Sequence, residues 1–135
     1  MKKFLNLLAV LLSVLCFTSC GRISSQDEIP EKNTYAQIDA EQAKQLMETE
    51  KDYIVIDART QEEYDEGHIE GALLIPEYEI ADRAEKELPD KNQLILVYCR
   101  SGRRSKIASE ALADLGYTNV REFGGIIDWE YETVK

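Results

Sequence analysis

Cys99 opens the run Cys99-Arg100-Ser101-Gly102-Arg103-Arg104-Ser105, directly after the apolar stretch Leu94-Ile95-Leu96-Val97-Tyr98. Gly102 admits backbone conformations that a side chain would block, so successive N–H groups can turn inward and cradle an anion. A helix starting in this run adds unpaired N–H groups and the positive end of its dipole. Arg100, Arg103 and Arg104 add fixed charge, and a guanidinium can grip an oxyanion through two parallel hydrogen bonds. All three features favour thiolate. An ordinary cysteine is only a few per cent ionised at neutral pH, and a downward shift of about two units makes the nucleophilic thiolate the major form. The same cradle suits the anionic terminal sulfur of a persulfide. Cys99 is therefore the expected catalytic residue, and Arg100, Ser101, Gly102, Arg103, Arg104 and Ser105 the expected substrate-binding loop. Arg100 and Arg104 are the foremost candidates for anion contact, whereas Arg103 could equally face water.

Short apolar runs alternating with amphipathic stretches must position that loop. Strands are expected at residues 35–38, 53–57, 72–75, 94–98 and 120–123, the fourth being the most apolar and hence central. Helices are expected between them. Asp39 with Gln42 reads as a capping box for a helix to about Glu50, with Ala43, Leu46 and Met47 on its apolar face. Further helices fall at residues 60–66, stopped by Gly67, at 77–88, at 105–115, with Ile107, Ala108, Ala111, Leu112 and Leu115 inward, and at 125–131. Such alternation gives an α/β fold, a mainly parallel five-stranded sheet covered on both faces. Ligands of such sheets bind beyond the carboxyl ends of the strands, where Cys99 lies.

Residues 1–19 read as an export leader, because Lys2 and Lys3 precede an apolar run too short to span a bilayer. The end of that leader, Phe17-Thr18-Ser19-Cys20-Gly21, resembles a bacterial lipobox, with Phe17 where leucine is usual. It implies that Cys20 is lipidated and anchors the protein to a membrane, periplasmic or outer-facing, although cleavage by an ordinary signal peptidase is the alternative. Residues 20–34 then form a polar tether, and residues 35–135 are the size of one folded unit. The formal net charge of −10 becomes more negative once the lysine-bearing leader is removed, which argues against nucleic acid as a partner. Of three cysteines, Cys16 leaves with the leader and Cys20 is acylated, so Cys99 is left as a free thiol. One histidine and one thiol do not make a zinc site, so no metal is expected, and a monomer is.

The loop CRSGRRS, together with IDARTQEEYDEGHIEGALLIP at residues 56–76 and GGIIDW at residues 124–129, resembles the rhodanese family. The resemblance runs over nearly all of residues 35–134. It implies a cofactor-free ping-pong sulfur transfer: Cys99 takes sulfur from a small anionic donor such as thiosulfate and passes it to cyanide or a thiol. A non-catalytic sulfur carrier is the second reading. A Cys-dependent phosphatase is the third, and it fits less well, since only four residues separate Cys99 from Arg104 and Tyr98 stands where a histidine is usual. Within the shared motifs Asp57, Arg59, His68 and Trp129 are expected to orient and support the site rather than react. Asp57 would cap the turn after its strand, His68 would make a structural hydrogen bond, and Gly124, Gly125 and Trp129 would set a turn and a packing anchor.

Overall fold

The computed structural model describes residues 34–135. The expected leader, Cys20 and nearly all of the tether lie outside the described residues. Five strands, β1 (Ala36–Gln37), β2 (Tyr53–Asp57), β3 (Leu73–Leu74), β4 (Leu94–Cys99) and β5 (Val120–Gly125), alternate with four α-helices. The helices are α1 (Ala40–Thr49), α2 (Gln61–Glu66), α3 (Ile80–Glu87) and α4 (Arg103–Asp114). Strand order is β1-β5-β4-β2-β3 and every pairing is parallel, so β4 is central as its apolar sequence requires.

Alternation along β4 sorts the two layers. Ile95, Val97 and Cys99 enter a core with Ile80, Ala84 and Leu88 at α3 and Ala108 and Leu112 of α4. Leu96 and Tyr98 point to the other face, among Ala43, Leu46 and Met47 of α1, Tyr64 of α2, and Phe123. Cys99 is thereby committed to the α3/α4 face by the two-residue period of the strand.

Local chemistry sets the helix starts. Asp39 and Gln42 form a reciprocal capping box on α1, and Thr60 and Glu63 form another on α2. Three expectations are corrected. The stretch 77–88 splits into a 3-10 turn, Glu77–Glu79, followed by α3. Helix α4 begins two residues earlier than residue 105, and its buried stripe is Ser105, Ala108, Ser109, Leu112 and Ala113. Ile107 falls off that stripe and is 45 % exposed. The expected helix at 125–131 is a single 3-10 turn, Ile126–Asp128, closed by the Trp129 N–H on the Ile126 carbonyl at 3.1 Å, and the Ile127 N–H donates to the Arg100 carbonyl at 3.3 Å.

Candidate active site

Cys99 ends β4, and the chain turns over it through Gly102, whose φ of 100° is left-handed. The Gly102 N–H donates to Cys99 Sγ at 3.0 Å, and Gly102 is itself the N-cap of α4, so the sulfur lies at the start of that helix. Ser105 Oγ lies 3.4 Å from Sγ. Burial pushes the thiol up, but the Ser105 hydroxyl and the backbone N–H groups of Ser105, Gly102 and Ser101 outweigh it and hold Cys99 below the ordinary thiol range. The direction agrees with a cradle built to hold an anion. Cys99 is only 1 % exposed, so its reagents must be small or the loop must part.

The three arginines separate. Arg104 donates to both oxygens of Glu63 on α2, at 2.6 and 2.8 Å, which ties the loop to that helix. Hydrogen bonds from Arg104, with help from the Thr60 N–H, hold the Glu63 carboxyl down at about 2. Arg104 still acts electrostatically on Cys99 while bound there. Arg100 and Arg103 are exposed and form no ion pair among the described residues, and Ser101 is exposed too. Of the three arginines of the loop, Arg100 and Arg103 are thus the ones whose charge is unpaired among the described residues.

Beneath the loop, β5 carries a bulge: between the paired positions Val97 and Cys99 on β4, it runs from Glu122 to Gly125. A Cβ at Gly125 would overlap the Arg100 carbonyl and the Ser101 Cα, so the loop closes down only on a glycine. The bulge also brings in Glu122, a residue that motif reading passes over. It is 2 % exposed, accepts from Ser105 Oγ at 2.5 Å and from the Gly124 N–H at 2.8 Å. Its one sequence signal is a charge in register with Val120 on the core-facing side of a strand.

The supporting residues sit on the opposite face. Asp57 is fully buried and receives Arg59 through Nε and Nη2, at 2.9 and 2.7 Å, and the Tyr98 hydroxyl at 2.6 Å. Arg59 also donates to the Gly67 carbonyl at 2.7 Å, and the Ile69 N–H donates to Tyr98 Oη at 3.1 Å. Burial, then the Asp57 charge, keeps Tyr98 a neutral phenol. His68 stacks on Tyr64 with centroids 3.6 Å apart, and its Nδ1 donates to the Tyr64 carbonyl at 3.0 Å. Trp129 packs on Phe123 and Tyr131 and borders a cleft of about 560 Å³ that no residue of the 99–105 loop lines.

A parallel α/β domain with one cysteine held by backbone amides at the end of its central strand defines a class of domain with a thiol set among anion-binding groups. The chain belongs to the rhodanese-like domain family, whose match covers residues 39–132. It is 42 % identical over 80 residues to the thiosulfate sulfurtransferase PspE of Escherichia coli K12, covering 59 % of this chain and 77 % of that one. A sulfurtransferase of Allochromatium vinosum is 38 % identical over 94 residues, 69 % of this chain and 86 % of its own. A solved structure described as a rhodanese with anions from E. coli superposes with a TM-score of 0.58 at 41 % identity, covering 62 % of this chain and 98 % of that one.

Proposed function

We propose that the protein is a sulfurtransferase that moves sulfane sulfur from thiosulfate or a persulfide to cyanide or a thiol through a Cys99 persulfide. The observation that carries this reading is the Gly102 N–H aimed at Cys99 Sγ at 3.0 Å, at the mouth of a helix. The same amide can hold thiolate before transfer and persulfide after it. The Cys99 thiolate attacks the outer sulfur of thiosulfate; a new S–S bond forms, the donor's S–S bond breaks, and sulfite leaves with its electron pair. An acceptor anion then attacks the terminal sulfur and Cys99 departs as thiolate. Charge balances in each displacement, and neither needs a metal or a cofactor. Arg100 and Arg103 draw the anionic donor to the mouth, and Arg104 supplies charge from its place on Glu63.

Intact-mass measurement after thiosulfate treatment tests the reading. The expected result is the gain of one sulfur atom with release of one equivalent of sulfite, discharged by cyanide and absent in Cys99→Ser. A wild-type protein that gains no sulfur overturns it. On the same reading the domain works as a monomer outside the cytoplasm, held at a membrane by acylated Cys20. Incorporation of labelled fatty acid that Cys20→Ala removes is the expected result in cells.

A further inference from the structure

Among the described residues, the exposed large apolar side chains are Tyr78, Ile107, Ile127, Tyr131 and Val134. Single exposed apolar residues are ordinary; several around one site mark a contact surface. Tyr131 and Val134 belong to the Trp129 cleft and the bridge to His68. The other three stand on the elements that frame the Cys99 loop. Ile127, 64 % exposed, is fixed beside it by its own N–H on the Arg100 carbonyl. Ile107, 45 % exposed, lies one helical turn after Arg103 on the outer side of α4. Tyr78, 66 % exposed, is carried by the 3-10 turn Glu77–Glu79, which packs on α4.

A small inorganic anion has no use for an apolar frame, because charge and amide donors suffice to hold it. The frame also carries the unpaired Arg100 and Arg103, in a chain of formal net charge −10. An acidic partner is therefore repelled by the chain as a whole and attracted at this loop, which orients it on the site. Neighbouring carboxylates are turned to other groups: Glu79 pairs with Arg83 at 2.6 Å, Glu77 acts on Arg104, and Asp128 lines a cleft with Lys106.

We propose that the sulfur acceptor is a protein thiol on an extended segment whose carboxylates meet Arg100 and Arg103 and whose apolar side chains meet Tyr78, Ile107 and Ile127. The inference rests on the proposed sulfur transfer and names its acceptor. Cys99 is 1 % exposed, so a folded surface cannot touch Sγ. The persulfide places the transferable atom one S–S bond, roughly 2 Å, beyond Sγ, where a single cysteine side chain can reach it. The partner thiolate attacks that outer sulfur; a new S–S bond forms on the partner, the bond to Cys99 breaks, and Cys99 keeps the electron pair as thiolate. Two negative charges enter and two leave, with no further reactant.

Three blocked peptides with one central cysteine test the proposal. The first has aspartate and glutamate beside the cysteine and leucines outside them; the second has lysines for the acids; the third has serines for the leucines. The full chain is loaded with thiosulfate and freed of donor, and discharge of the persulfide is followed by intact mass. Each rate is divided by that peptide's rate with a small disulfide, which removes differences in thiol reactivity. The first peptide is expected to be at least about tenfold faster than the others. In the combined variant Tyr78→Ser, Ile107→Ser, Ile127→Ser its advantage over the serine peptide is expected to fall below about threefold, with cyanide discharge and melting temperature unchanged. Equal normalised rates for the three peptides, or an advantage that survives in the combined variant, overturns the proposal. Fluorescence anisotropy of the first peptide, labelled and with serine for its cysteine, reads docking on the unloaded protein. Binding is expected to weaken at least about fivefold in the combined variant and in Arg100→Ala with Arg103→Ala. Absent binding, or binding indifferent to both sets of substitutions, also overturns it. Anisotropy needs no sulfur donor, so a chain that fails to load sulfur sinks the proposed function while docking is still decided.

Discussion

At the scale of single residues, the reactivity of Cys99 is a contest between burial and hydrogen bonding. Burial alone would give an inert, protonated thiol, as in most core cysteines. The Ser105 hydroxyl and the amides of Ser105, Gly102 and Ser101 outweigh burial and hold the thiol below its ordinary range. Gly102 has room for a methyl group but a φ of 100°, so Gly102→Ala costs about 1–2 kcal/mol of backbone strain and withdraws an N–H from sulfur. Its thiol pKa is expected to rise, measured by thiolate absorbance, with slower sulfur loading at neutral pH. Arg100 and Arg103 touch nothing that their removal would unfold. Arg100→Ala with Arg103→Ala is expected to raise the apparent KM for thiosulfate by roughly tenfold and to weaken its salt dependence, with the melting temperature unchanged. An unchanged KM would remove both residues from donor capture.

At the scale of elements, the loop is clamped between α2 and the β5 bulge. Gly125 is the contact on one side: a methyl group there displaces the Arg100 carbonyl. Gly125→Ala is expected to abolish sulfur loading, read by intact mass, while circular dichroism retains the α/β spectrum. On the other side, Arg104 holds Glu63 at about 2, against an ordinary 4.5. A carboxylate with a depressed folded-state pKa adds stability that is complete above its unfolded pKa and lost as pH falls toward the folded value. Glu63→Gln is therefore expected to cost roughly 1 kcal/mol at neutral pH, and the difference from wild type should shrink between about pH 4.5 and 2. Urea unfolding of both proteins at a series of pH values checks this. Losing Glu63 also frees Arg104, so loading kinetics of the same variant report whether the clamp or the charge matters more.

At the scale of the whole molecule, Asp57, Arg59 and Tyr98 join β2, β4 and the turn at residues 67–69 on the face away from sulfur. The pair is 6 % and 0 % exposed at its side chains, so removing one partner strands a charge in the core. Arg59→Met is expected to lower unfolding free energy by about 3–5 kcal/mol in denaturant titration, a purely structural cost. If the protein still loads sulfur when folded, Arg59 plays no part in the chemistry. A loss smaller than about 1 kcal/mol would mean that water already reaches the pair.

Much of this architecture is legible along the chain because it depends on neighbours. The parallel sheet, the central place of β4, the capping boxes at Asp39 and Thr60, and Cys99 in a glycine-containing loop all follow from periodicities and contacts a few residues apart. The exposure of Ile107 was not legible, since the rotation of α4 is set by the packing of Ala108 and Leu112 on the sheet, a contact that helical spacing alone does not fix. Arg104 belongs to Glu63, 41 residues away, and Ser105 to Glu122, 17 residues away. By itself the sequence pointed to Cys99 and to the glycine-containing, arginine-rich loop that follows it. Only the tertiary structure decided which arginines remain free, and that a buried carboxylate shares the serine of the cradle, because those pairings form across strands whose register no local pattern encodes.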